Sequence, residues 1–176
     1  MSRHNISHRT VINAPIDRVW SAVIDLQAWK EWNRWTTLEV VGEQDDTKKP
    51  STGAKGKLRA SYKGDDKWET FDFTFGTVSN EDRVLTWTGK VGAGLLFSGV
   101  HTMRLEQVRA IDELDVMSSS SRTILIHEER FGGLLPGLGL GLPYKQLKRN
   151  YLEMNTSLKK YVEDRIVSSA VDAERQ

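Results

Sequence analysis

From Ile6 to Ile12 the residues alternate, with Ile6, His8, Thr10 and Ile12 on one side and Ser7, Arg9 and Val11 on the other. That period of two predicts a strand at or near a sheet edge. Asn13-Ala14-Pro15 stops the strand and starts a helix, because proline suits the first helical turn. Val19, Trp20, Val23, Ile24 and Ala28 then recur at helical spacing, and residues 29–33 predict a second short helix. Strand-like patterning returns from Thr36 to Phe131. The predicted strands are 38–44, 56–62, 68–78, 84–88, 96–108 and 122–131. They are separated by 47–53, 63–66, 79–82, 89–94 and 110–121, each holding clusters of Gly, Pro, Asn, Asp or Ser. Breaks this short leave no room for crossover helices, so the strands are expected to pair antiparallel as a meander.

The last segment changes period again. After the Gly, Leu and Pro run of residues 132–143, Tyr144, Leu147, Tyr151, Met154, Leu158, Tyr161 and Val162 keep a helical repeat. Lys148, Arg149, Glu153, Lys159, Lys160 and Glu163 fill the other face. This predicts one amphipathic helix of roughly 20 residues, about 30 Å long. The polar tail after Val167 is expected to fray. A seven-stranded antiparallel sheet needs one face covered, and this helix is the element long enough to cover it. The expected fold is α+β: a curved seven-stranded antiparallel sheet around a long C-terminal helix, with two short helices between strands 1 and 2. No repeat or linker divides the chain, so residues 1–176 are expected to form one domain, with its core over about 6–165.

Charge and composition narrow the function classes. The 25 basic and 24 acidic residues nearly cancel to a net +1, which leaves no overall electrostatic footprint for nucleic acid or an anionic membrane. The chain has no cysteine, so disulfides, thiolate metal sites and cysteine nucleophiles are excluded. The polar start lacks the apolar core of a signal peptide, and no apolar run of about 18 residues exists. A cytoplasmic protein without integral membrane association, monomeric or homodimeric, is expected. Six tryptophans are the unusual feature, three of them close together at Trp29, Trp32 and Trp35.

Several segments together resemble the START/Bet v 1-like (SRPBCC) superfamily, in its polyketide cyclase/dehydrase and lipid-transport group. Residues 12–20, Ile-Asn-Ala-Pro-Ile-Asp-Arg-Val-Trp, resemble its opening. Trp32-Asn33 resembles the second short helix, and residues 85–89 the central strand. Residues 99–103 and 127–135 resemble the last two strands, and Met154-Asn155 with Leu158-Lys159 the closing helix. The likeness runs from about Ile6 to Glu163. Arg34 departs from it, standing where relatives often have proline. The resemblance implies a helix-grip fold around a hydrophobic cavity, with no cofactor and no metal. It does not imply a reaction, because one superfold hosts many functions.

Alternation selects the residues that face this cavity. Phe97, Gly99, His101, Met103 and Leu105 share one face of the sixth strand. The family pattern puts Leu125, His127, Glu129 and Phe131 inward on the seventh, against the competing Ile124 and Ile126. Leu85 and Trp87 follow on the fifth strand, and Phe71, Phe73 and Phe75 on the fourth. The expected ligand wall is Trp32, Phe73, Phe75, Trp87, Phe97, Met103, Leu125, Leu147, Tyr151, Met154, Asn155 and Leu158. Trp32 is expected beside the pocket, with Trp29 or Trp35 mainly structural. His8 and Asn155 are further inward polar candidates.

The candidate catalytic set is His101, His127 and Glu129. An imidazole polarised by a carboxylate moves protons on a carbonyl-rich ligand, as cyclisation, dehydration or isomerisation requires. The same residues also read as a hydrogen-bonded tie between two strands, or as a facial set of metal ligands. The leucine-glycine run at 132–143 lacks the spacing of a phosphate loop. It reads as packing that also gates the cavity, with a partner contact or a membrane contact during lipid delivery as the alternatives. Function is thus expected to be binding of a polyketide-, terpenoid- or lipid-like molecule, with or without chemistry. A carrier and a co-chaperone-type interaction module are the alternatives.

Overall fold

The computed structural model describes residues 5–41, 49–61, 67–108, 122–138 and 143–173. The expected turns at 63–66 and 110–121, and parts of those at 47–53 and 132–143, lie outside these ranges. Seven strands are present: β1 (Asn5–Ile12), β2 (Thr36–Val40), β3 (Lys55–Ala60), β4 (Glu69–Ser79), β5 (Val84–Val91), β6 (Phe97–Gln107) and β7 (Thr123–Gly132). All pair antiparallel, in the order β1-β7-β6-β5-β4-β3-β2. The meander is as expected, and β1 closes beside the last strand because α1 (Ile16–Ile24) and α2 (Trp29–Trp32) carry the chain across to β2. Two further helices follow β7: α3 (Leu134–Gly137) and α4 (Tyr144–Ala173).

Local chemistry explains where elements begin and end. Pro15, with φ −59°, precedes α1, whose buried face is Val19, Trp20, Ala22 and Val23. Asp25 Oδ1 accepts from the N–H groups of Gln27 (3.1 Å) and Ala28 (3.3 Å), which turns the chain into α2. Trp29 donates its indole N–H to Val23 O at 2.9 Å and so ties the two short helices together. The β2 strand starts at Thr36 rather than Leu38. Buried Asn33 ends α2, and its side-chain oxygen accepts from the N–H groups of Trp35 (3.0 Å) and Thr36 (3.2 Å). The register of β4 against β5 shifts between Phe75 and Val78. There Thr86 Oγ1 accepts from Thr77 N–H at 2.6 Å, and such an irregularity bends the sheet.

The helix α4 lies on the concave face. Leu147, Met154, Leu158 and Val162 are buried along it, as its period predicts. It runs to Ala173, where a frayed tail was expected after Val167. No Gly or Pro interrupts residues 163–173, so nothing in the backbone stops the helix. Its 30 residues span about 45 Å. The main core joins α4 to α1, α2 and the sheet through Val19, Val23, Trp29, Phe75, Leu85, Met103, Leu125, Met154 and Leu158. A smaller cluster of Ile6, Phe131 and Leu147 with Phe97, Tyr144 and Tyr151 surrounds the first turns of α4.

Candidate functional site

Antiparallel registry places His101 of β6 opposite Glu129 of β7, with Met103 opposite His127. All four side chains therefore project from the concave face. His127 Nδ1 lies 2.5 Å from Asn155 Oδ1 of α4, while Asn155 Nδ2 donates to Thr10 Oγ1 at 3.2 Å. With the amide oxygen toward the ring, His127 carries its proton on Nδ1 and donates it to Asn155. Its Nε2 then accepts from His101 Nε2–H at 2.5 Å. This leaves the His101 Nδ1 lone pair facing Glu129 Oε2 at 3.8 Å. Tyr151 donates its hydroxyl to the same carboxyl oxygen. Rings enclose the chain of polar groups: Trp87 stacks on His101 at 3.9 Å and Tyr151 on His127 at 4.8 Å.

Burial sets the charge of these groups. Desolvation lowers His101 to a pKa of about 3. His127 is held well below the usual histidine value by desolvation, then by His101, against an opposing contribution from its bond to Asn155. Glu129 is raised to about 8, again by desolvation. At neutral pH the set is two neutral imidazoles and a protonated carboxylic acid. Neither partner keeps a charge, because burial disfavours the ionised form of each. Both Nε2 atoms are committed to each other at a separation too short for an ion to bridge, since each metal–nitrogen bond needs about 2.0 Å. The facial metal set therefore does not form with these contacts in place.

A cavity opens beside this network, under the first turns of α4. Its interior is about 90 Å³, within a recess of about 830 Å³ that includes open solvent at the mouth. Of the expected site residues, His101, Glu129, Phe73, Trp87, Phe97, Leu147 and Tyr151 line it. His127, Trp32, Phe75, Met103, Leu125, Met154, Asn155 and Leu158 do not. Phe75, Met103, Leu125, Met154 and Leu158 are at most 1 % exposed and fill the core where α4 meets the short helices. Trp32 packs on Trp29 at 5.2 Å, and Trp35 takes the cavity position expected of Trp32. The reason is the break at Asn33: helical spacing from Trp29 stops there, and Trp35 follows the capped turn instead. His8 turns to α4, where its Nε2 lies 2.9 Å from Lys148 O.

The remaining wall includes Thr36, Leu58, Ala60, Ser61, Phe71, Gly89, Gly99, Phe131 and Asn150. Alternation on β4 and β7 already points to Phe71 and Phe131. The small residues carry no chemical signal in the sequence, yet they are what leaves the space. Gly99 shows this directly, since a Cβ there would sit 2.7 Å from Glu129 Oε1.

A family model described as polyketide cyclase/dehydrase and lipid transport matches residues 3–163. The chain belongs to this family. Solved structures agree on the fold. A hypothetical protein of Helicobacter pylori matches with TM-score 0.68 at 10% identity, over 92% of this chain and 89% of its own. The Zhui aromatase/cyclase of Streptomyces sp. R1128 matches with TM-score 0.60 at 15% identity, covering 92% and 94%. A START superfamily protein of Mycobacterium smegmatis gives 0.63 at 15% identity, covering 92% and 98%. No curated protein matches the chain. For this member of the polyketide cyclase/dehydrase and lipid transport family, identities this low carry the helix-grip fold alone. Among the described residues, no helix is long and apolar enough to cross a membrane.

Proposed function

We propose that the chain binds a hydrophobic small molecule bearing a carbonyl group in the cavity under α4, and that Glu129 moves a proton on it. The observation that carries this reading is a carboxylic acid with its pKa raised to about 8, on the wall of a mostly apolar cavity. An acid–base group works best when its pKa lies near the working pH, and Glu129 meets that condition. His101, at about 3, is too weak a base to share the role. It stands 3.8 Å from the acid, and the Tyr151 hydroxyl, which donates to the same oxygen, orients it. The step is a tautomerisation: protonated Glu129 gives its proton to the carbonyl oxygen, and the carboxylate so formed takes one from the adjacent carbon, which leaves the enol and the acid restored. That exchange is common to aldol cyclisation, dehydration and isomerisation. The interior of about 90 Å³ suits a small fragment, so a ligand of several rings requires the wall to part.

The carrier reading has its own support. His127 uses both ring nitrogens and does not reach the cavity, so that part of the network serves to join β6, β7 and α4. An aromatic β-diketone in D₂O separates the two. The expected result is binding with faster deuterium incorporation at the central carbon, reduced about 10²–10⁴-fold in Glu129→Gln with binding retained. Binding with equal exchange in both proteins selects the carrier. A cavity that takes up neither the diketone nor a co-purifying hydrophobic molecule overturns both readings and favours an interaction module.

A further inference from the structure

Four leucines stand on the surface at one end of the molecule: Leu95 (78 % exposed), Leu96 (44 %), Leu134 (59 %) and Leu138 (63 %). They come from two separate stretches, the β5–β6 turn and the α3 segment. Those stretches are joined by backbone bonds, Leu134 N–H to Leu95 O at 2.9 Å and Leu135 N–H to Leu96 O at 3.0 Å. Gly133 makes the approach possible. Its φ is +101°, and a Cβ on it would meet Leu96 O at 2.7 Å. The leucines are therefore held together in one protruding patch. The patch adjoins the cavity, because Phe97 follows Leu96 directly, Phe131 precedes Gly133 by two residues, and both phenylalanines line the wall.

The stretches that carry it are basic, and Asp72, which lines the same cavity as Lys90, is paired with Lys57. The chain has 24 acidic residues, yet residues 84–104 and 131–152, which carry the patch and its flanks, contain no Asp or Glu. They hold Lys90, Arg104, Lys145, Lys148 and Arg149. Arg104 and Arg149 are bonded to Glu106 and Glu153. Lys90 and Lys145 are exposed and form no ion pair among the described residues. The Lys90 stem lies against the β5–β6 turn, with its Cδ 3.7 Å from a Cβ built on Gly94. Lys145 follows Tyr144, which packs on Phe131 at 5.3 Å. Both cations thus belong to the same end as the leucines.

We propose that this end docks on an anionic membrane surface, with the leucines entering the headgroup boundary and Lys90 and Lys145 meeting the headgroups. Four leucine tips fall short of the roughly 800 Å² per partner that a stable protein complex buries. A lipid interface needs no matching shape, and it supplies apolar depth and negative charge at once. Docking in this orientation turns the cavity end toward the bilayer. The proposal stands apart from the proton chemistry, since neither His101 nor Glu129 takes part.

Co-sedimentation of the full chain with vesicles tests it. Binding is expected to equal mixtures of phosphatidylcholine and phosphatidylglycerol, about tenfold or more weaker to phosphatidylcholine alone, and weakened by salt. The variant Leu95→Ser/Leu134→Ser/Leu138→Ser should lose at least about tenfold in binding while keeping the wild-type melting temperature. Lys90→Glu/Lys145→Glu should remove the preference for the anionic lipid. No sedimentation with the mixed vesicles, or equal sedimentation of the leucine variant, overturns the proposal. So does a concentration-dependent dimer that requires these leucines in a protein that ignores vesicles, which would make the patch a self-association surface.

Discussion

The two ends of α4 present the same apolar stripe and meet opposite surroundings. Further along it, Met154, Leu158 and Val162 are at most 5 % exposed and pack into the core built by Val19, Trp20, Val23 and Trp29 of the short helices. From Leu147 to Tyr151 the stripe faces a cavity. The helix does not make this difference. At the packed end the opposing side chains are large, such as Trp29, Phe75, Leu38 and Leu85. At the hollow end the wall includes Ala60, Ser61, Gly89 and Gly99. A cavity in this fold is thus written in the small residues across from the helix. The polar network sits at the boundary, with Asn155 and His127 on the packed side and His101, Glu129 and Tyr151 on the hollow side.

The sharpest way to break that comparison is to truncate one leucine at each end. Leu158 is fully buried, and Leu158→Ala is expected to cost about 3–5 kcal/mol, because packed neighbours relax little into the new void. Leu147 already lines open space on one side, so Leu147→Ala should cost less than half as much. Urea unfolding of both variants at neutral pH measures the difference. Equal losses would mean that the two ends are packed alike.

This contrast marks how far the sequence can be read. The stripe from Leu147 to Val162 and the alternation on β6 and β7 identify the buried face, because period depends on backbone geometry alone. They do not say which half of the stripe is hollow, since that depends on residues brought across by the fold, such as Gly99 and Ala60. The pairing of His101 with Glu129 needed the strand register, which a list of alternating residues leaves open. Trp35 rather than Trp32 reaches the cavity because one capping side chain, Asn33, ends the helix between them. The charge states escaped the sequence for a related reason: residue type suggests an ionised pair, and only burial shows that neither partner keeps its charge.

The boundary network sharpens the comparison through pH. Glu129 is raised in the folded state, from 4.5 to about 8, so its contribution to stability is full below pH 4.5 and is lost as pH rises toward 8. His101 is lowered, from 6.5 to about 3, so its contribution is full above pH 6.5 and is lost as pH falls toward 3. His127 shifts in the same direction as His101. Below pH 6.5 the two histidines outweigh the one acid; above it the acid acts alone. These groups therefore place maximum stability near pH 6.5, with a loss of about 2 kcal/mol between there and pH 8. Unfolding free energies over pH 4–9 test this. Glu129→Gln should flatten the alkaline limb, and an alkaline limb unchanged in that variant would assign it to other groups.

The smallest expected effect lies on the hollow side of the boundary. Tyr151→Phe keeps the ring that stacks on His127 at 4.8 Å and removes only the hydroxyl that donates to Glu129. One such bond contributes about 1 kcal/mol, and the cavity lets solvent reach the freed oxygen. On the packed side, Asn155→Leu strands the His127 N–H donor where no solvent enters, at a cost of about 1–3 kcal/mol. The ordering is the test: Tyr151→Phe should fall below Asn155→Leu in denaturant unfolding, although each removes one partner from the same chain of polar groups. If Tyr151→Phe costs as much, the Glu129 end is as dry as the His127 end, and the cavity does not extend to the acid.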